Sequence, residues 1–274
     1  MLEKWLSIAE PRPSPYVFRF INVTEKQDPD DDVKAFIGKE IITAYRNLDH
    51  LQLQYRTEPR HKLVEYIKDY VLTTSDNQIA RNVGQGDFGE ILAGLIVSHF
   101  FKLFVPIQKL RWKFNKDRST FCTDMIAHNP DGDITDIYYY EVKSRRLIRK
   151  EETNGTYNHI TVIAHNSLLK DEQTPNEGIA DFLSRYFYEK EDYDASAKYG
   201  EIVKNPNNYN RNFELFFIIE ASKFIAEILD DLQNLPPTLK PLCVTLVLIN
   251  RLGELVEETR ELAIRSAVNY VYGA

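Results

Sequence analysis

The stretch Ile137-Tyr138-Tyr139-Tyr140-Glu141-Val142-Lys143 constrains this chain more than any other segment. Its first four residues are continuously apolar or aromatic, as expected of a strand buried on both faces. Its last three place a carboxylate and an ammonium two residues apart, which in a strand puts both on one face. A buried strand needs neighbours to take its backbone hydrogen bonds, so a sheet must be built around it. The same sheet must accommodate a charged pair at the end of an apolar run. Glu141-Val142-Lys143 is the only Glu-x-Lys in the chain. The only Asp-x-Lys, Asp32-Val33-Lys34, adjoins the acidic turn Asp28 to Asp32.

The flanking segments supply the rest of the sheet. Residues 119–127 (STFCTDMIA) predict the preceding strand, with a turn at 129–133 (NPDGD), because Asp-Gly favours tight hairpin geometry. Residues 103–114 alternate, with Lys109, Arg111 and Lys113 on one side and Leu110, Trp112 and Phe114 on the other, and predict another strand. Residues 213–220 (FELFFIIE) and 242–250 (LCVTLVLIN) predict two more. Helices are expected over 86–101, Glu177 to Lys190 and 253–268. Upstream, Pro11, Pro13 and Pro15 keep residues 1–27 extended. From Val33 to about Leu72 the apolar positions Phe36, Ile37, Ile41, Tyr45 and Leu48 recur at helical spacing. Pro59 separates a second helix carrying Leu63, Ile67, Tyr70 and Val71. Residues 144–176 carry no clear period. This order implies an α/β (α+β) fold: a mixed sheet core flanked by helices in 73–274, preceded by a helical N-terminal lobe in 1–72.

The hairpin brings a second carboxylate to the first pair. If the two strands pair around Asp131-Gly132-Asp133, Asp124 falls opposite or diagonal to Glu141, within roughly 5 Å at Cβ. Asp124 lies between Phe121 and Met125-Ile126-Ala127, so both acids sit in apolar surroundings. Adjacent buried carboxylates repel and raise one another's pKa, a cost that a divalent cation removes. Hard oxygen ligands suit Mg²⁺, with Mn²⁺ able to substitute. Such a metal polarises a phosphodiester and acidifies a bound water, while Lys143 orients that water or offsets phosphorane charge. The competing account is a structural ion pair of Lys143 with Glu141 or Asp124. Glu90, an acid within the apolar helix 86–101, is either a further metal or water ligand facing Asp124 or a favourable charge near the helix N-terminus.

Charge patterning points to a phosphate partner. The 274 residues include 34 basic and 41 acidic side chains, for a net charge of −7, which disfavours polyanion binding by the chain as a whole. Two runs depart from that average: 109–118, with Lys109, Arg111, Lys113, Lys116 and Arg118, and 143–150, which includes Arg145 and Arg146. Both flank the acidic cluster and predict a nucleic-acid path beside it. The two cysteines, Cys122 and Cys243, are far apart, indicating neither a disulfide framework nor a zinc site, and the N-terminus lacks a signal-peptide layout. A cytoplasmic protein with no membrane partner is expected. Gly84 to Gly89 spells G-x-G-x-x-G without the preceding buried strand that dinucleotide binding requires, so helix entry and close packing account for it better. The six histidines lack the flanking pattern of an HNH site. No G-x-S-x-G, Walker A or H-E-x-x-H is present.

Glu90 in Gly-Glu-Ile-Leu-Ala, Thr123-Asp124, and Tyr140-Glu141-Val142-Lys143-Ser144 together resemble the PD-(D/E)xK nuclease pattern. Thr123 stands where the motif's proline would be. More narrowly, residues from about Gly86 to Glu220 resemble the HamA family, nuclease subunits of the bacterial Hachiman anti-phage system. The resemblance implies a restriction-endonuclease-like core, Mg²⁺-dependent DNA cleavage and a stable complex with HamB, a superfamily 2 helicase. It also implies Asp124, Glu141 and Glu90 as metal ligands and Lys143 as the catalytic lysine. The alternative is a catalytically silent nuclease-fold scaffold that binds the helicase. The acidic net charge accords with a partner that supplies most of the grip on DNA.

Overall fold

The computed structural model describes residues 1–73, 77–107, 109–118, 123–153, 155–173 and 178–273. The chain opens with a short helix α1 (Leu2–Trp5) and strands β1 (Leu6–Ala9) and β2 (Arg19–Glu25). Helices α2 (Asp31–Tyr45), α3 (Leu48–Tyr55) and α4 (Arg60–Tyr66) follow, the last running into a π turn at Ile67–Val71. The long α5 (Gln78–His99), β3 (Met125–His128) and β4 (Asp136–Arg145) carry the predicted site. A small ribbon, β5 (Glu151–Thr153) and β6 (Thr156–Asn158), leads to α6 (Ile160–Gln173), α7 (Gly178–Glu189) and α8 (Tyr193–Lys204). The chain ends with β7 (Asn210–Glu220), α9 (Glu227–Gln233), β8 (Leu242–Ile249) and α10 (Leu252–Tyr272).

Six strands form one mixed sheet in the order β1-β2-β8-β7-β4-β3. The central four are parallel, and β1 and β3 close the edges antiparallel. This explains why β7 from Phe213 and β8 are mainly apolar, since parallel strands are covered on both faces. Alternate residues feed two cores. Tyr140, Val142, Phe216, Ile218 and Val247 face α2, α5 and α10. Tyr139, Leu215, Phe217, Val244 and Leu246 face α6, α7 and α9. The helices expected before residue 72 are present, and the strands ahead of them pair into this same sheet. Two features fix the packing of α2. Asp30 caps it, accepting from the Val33 N–H at 2.9 Å, so the acidic run is a helix start that Asp31 and Asp32 reinforce electrostatically. Its Gly38 lies so close to α10 that a Cβ would sit 2.7 Å from Leu262 Cβ.

Several expectations need correction. Residues 103–114 are not a strand: beyond a bridge at Phe104, Lys109–Trp112 form a 3-10 turn. The alternation misled because its side chains find separate partners. Arg111 donates to the Thr43 carbonyl at 2.6 Å, Trp112 packs edge-on against Phe182 and Tyr186, and Phe114 is fully exposed. The predicted strand 119–127 is represented by β3, which starts at Met125; residues 119–122, including Cys122, lie outside the described residues, as does Glu177. Helix α5 begins eight residues before the expected Gly86, capped by Asn77, which accepts from the Ala80 N–H at 2.8 Å. Its glycines are therefore inside the helix and do not mark its entry. Of residues 1–27, β1 and β2 are extended, α1 is helical, and the proline-rich connection between the strands is bent. The unassigned 144–176 contain the end of β4, then β5, β6 and all of α6.

Candidate active site

Sequence and hairpin geometry together deliver the first three residues. Strands β3 and β4 pair with Met125 opposite Tyr140 and His128 opposite Ile137, so continuing the register places Asp124 opposite Glu141. The connection is looser than a two-residue turn. The Asn129 side chain holds it by donating to the Asp131 and Asp133 carbonyls and accepting from the Thr135 N–H, while Gly132 supplies a left-handed φ of 73°. Just ahead of β3, Asp124 is pinned to β4, its Oδ2 accepting from the Val142 N–H at 2.8 Å. Glu141 and Lys143 pair on one face of β4. Lys143 Nζ also lies 3.7 Å from Asp124 Oδ2. The sequence-predicted trio is thus one cluster.

The fourth residue is brought in from α5. A Cβ at Gly89 would lie 2.7 Å from Ser144 Cβ, so only glycine lets α5 approach β4 this closely. That approach sets the next residue, Glu90, beside the cluster. It meets Asp124 through a side chain that alternation had assigned to a DNA-facing surface: Lys109 Nζ donates to Asp124 Oδ1 at 3.0 Å and lies 3.5 Å from Glu90 Oε2. The cluster therefore holds three carboxyl groups and two lysines.

Its electrostatics follow from burial. Burial pushes Glu90 up to about 8; Lys109 opposes the shift, and Asp124 and Asp87 add to it. Burial and then the charge of Asp124 raise Glu141, against the Lys143 ion pair and a hydrogen bond from Ser167 on α6. Burial alone would depress both lysines, but their acidic neighbours reverse the sign. Glu90 and Asp124 hold Lys109 above its ordinary value, and Asp124 and Glu141 do the same for Lys143.

The other basic candidates divide. Lys113 is not a surface contact: it is buried against Asp87, which also accepts from the Tyr45 hydroxyl at 2.5 Å. Arg111 is committed to α2. Arg145 pairs with Glu151, and Arg146 donates to Gln85 Oε1 at 2.7 Å. Lys116 lies 3.4 Å from Asp117, and Arg118 is exposed. The structure adds residues that sequence reasoning missed. Gln85 is buried and donates to Ser144 Oγ at 2.6 Å, tying α5 to β4 two residues beyond Val142. Ser167 had no signal at all, because residues 144–176 showed no period.

A model of the HamA family matches residues 1–263. The chain belongs to the HamA family. The match spans nearly the whole chain, including the N-terminal helices where motif resemblance was weakest, and associates the protein with Hachiman anti-phage defence. No curated protein matches it. No helix among the described residues is long and apolar enough to cross a membrane.

A divalent cation fits this HamA-family site in chemistry more readily than in spacing. Carboxylate oxygens are the right donors for Mg²⁺ or Mn²⁺, and three carboxyl groups already gather around positive charge. Yet among the described residues no three acidic, histidine or cysteine side chains close on one point as a ready metal cage. Between Glu90 and Asp124 stands the ammonium of Lys109.

Proposed function

We propose that this chain is a metal-dependent DNA nuclease that hydrolyses phosphodiester bonds as the effector subunit of a helicase–nuclease defence complex. The observation that carries the reading is the anchoring of Asp124 to the Val142 N–H, which sets it beside the Glu141–Lys143 pair. Asp124 and Glu141 would hold Mg²⁺ or Mn²⁺, with Glu90 as the helix ligand. The bound ion would polarise the phosphodiester and acidify a water. Lys143, kept cationic by Asp124 and Glu141, is placed to orient the attacking water or offset charge on the phosphorane. Ser167 and the Val142 N–H fix the two carboxylates, so the site is pre-organised from three elements.

The grip on DNA is weak in this chain alone. Lys113 is buried, and Arg111, Arg145 and Arg146 all have protein partners. With a net charge of −7, affinity for duplex would come mainly from a partner, which supports a superfamily 2 helicase of the HamB type as that partner. The second reading, a catalytically silent scaffold, draws on the lysines that fill the carboxylate cluster. Plasmid and single-strand cleavage with Mg²⁺ or EDTA separates the two. Wild type, Glu141→Ala and Lys143→Ala are compared, each with and without the co-purified helicase. Mg²⁺-dependent cutting absent from both variants is expected. Cutting that survives both removes the site assignment, and no cutting under any condition favours the scaffold.

A further inference from the structure

We infer that Lys109 is an internal cation that occupies the metal position and must withdraw before a divalent ion can bind. The inference rests on the nuclease reading but concerns a residue outside its motif. Among the described residues, Lys109 is the one cation that bridges the helix carboxylate to the strand carboxylate, at 3.5 Å from Glu90 and 3.0 Å from Asp124. A metal held jointly by Glu90 and Asp124 would need the space that this ammonium fills. Lys143 also pairs with two of the would-be ligands, Asp124 and Glu141, but it makes no ion pair with Glu90, so it does not join the helix to the strands as Lys109 does.

The turn that delivers Lys109 is built for that position. Arg111 fastens it to α2, Trp112 packs against Phe182 and Tyr186 of α7, and Lys113 is buried against Asp87 of α5. Three helices thus hold the backbone while a flexible four-carbon stem carries the charge. A lysine on an unanchored surface loop would lose much of any such contact to side-chain entropy and solvent screening. Here Lys109 draws Glu90 and Asp124 together. Exchange for a metal is favourable only when the incoming ion holds these two carboxyl groups better than the ammonium does. Metal affinity is then reduced by the fraction of molecules in which Lys109 is docked.

The test measures Mn²⁺ binding by titration calorimetry on the purified full chain, with no DNA and no activity readout. Removing the ammonium in Lys109→Met should tighten binding by about tenfold or more. Lys109→Gln guards against a packing artefact and should tighten it likewise. Arg118→Gln removes an exposed charge without vacating the position, and should change affinity by less than about threefold, as expected of a screened surface charge. In EDTA, Lys109→Met should melt below wild type, and Mn²⁺ should raise its Tm more than it raises that of wild type. Binding by Lys109→Met and Lys109→Gln no tighter than wild type overturns the inference. If wild type binds and Asp124→Asn abolishes that binding, the metal reading survives the loss. If no variant binds at all, both fall.

Discussion

Two charged clusters sit on the same face of α5, three residues apart, and they are built from the same parts. Asp87 takes Lys113 and the Tyr45 hydroxyl; Glu90 takes Lys109, four residues earlier on the same turn. The side chains of Asp87 and Lys113 are 6% and 3% exposed, one acid against one base. At the other cluster Lys109 and Asp124 keep 18% and 14%, and three carboxyl groups share two lysines. The first cluster is closed and matched; the second is open and has an acid in excess. Burial raises both Asp87 and Glu90, but Asp87 has two strong donors and Glu90 has only a long contact to a shared lysine. One pair holds the turn in place, while the other is left short of positive charge where Asp124, Glu141 and Glu90 gather.

The largest effects separate the clusters by what fails. Lys143→Ala should lower cleavage about a hundred- to a thousandfold, the scale of removing one charge-stabilising donor, with Glu141→Ala at least as severe, while both variants remain folded by circular dichroism. Asp87→Ala should do the reverse: it leaves Lys113 buried without its acid, at a cost of about 3–5 kcal/mol in denaturant unfolding. Asp87→Leu with Lys113→Met should recover most of that loss, because a buried pair replaced by apolar groups of similar size is often neutral. If Asp87→Ala kept full stability while abolishing cleavage, the two clusters would have to exchange roles.

Glu214 sharpens the contrast as a buried acid with almost no partner. It lies opposite Tyr140 in the register of β4 and β7, bonded by the Cys243 thiol, and burial pushes it up to about 7 from an ordinary 4.5. The folded state holds this proton more tightly than the unfolded chain does. Its contribution is therefore complete below about pH 4.5 and is lost as pH rises to about 7. The loss is at most roughly 3 kcal/mol. Glu214→Gln should flatten the fall in stability across that window, measured by urea unfolding at several pH values. An unchanged slope would mean that Glu214 has a partner Asp87 lacks, or that the slope belongs to the Glu90 cluster.

These contrasts also show what was legible in the sequence. Glu141, Lys143 and Asp124 could be placed because strand alternation and hairpin register are local rules, and the register came out as the pairing around Gly132 required. The covered centre of the sheet showed in the mainly apolar runs of β7 and β8, interrupted by Glu214 and Thr245, although their parallel pairing was not legible there. Lys109 and Lys113 could not be placed. Their i, i+2, i+4 spacing with Arg111 imitates one face of a strand, and only Trp112 meeting Phe182 and Tyr186 of a distant helix bends the segment into a turn. The start of α5 was hidden for a similar reason: in its first two turns, Gln78 to Gln85, four of the eight residues are polar and only Ala80 and Gln85 are buried, so helical period showed only where the helix is buried.

The smallest effect tests whether the spacing between α5 and the sheet sets the open cluster. Gly89→Ala puts a methyl 2.7 Å from Ser144 Cβ, and Ser144 is also the acceptor of the Gln85 bond. Either α5 moves outward or Ser144 moves and loses that bond, so overpacking should cost about 1–3 kcal/mol. Asp87 lies on the same helix, yet its partners Tyr45 and Lys113 come from α2 and the residue that follows the 3-10 turn, and not from β4. An outward shift therefore strains Glu90 against Asp124 more than it strains Asp87. Cleavage should fall further than the stability loss explains, and Ser144→Gly added to Gly89→Ala should restore activity ahead of stability by making room for the methyl. If the double variant regained stability but not cleavage, the approach of α5 to β4 would be a packing requirement only, and the position of Glu90 would have to be set from the Lys109 side.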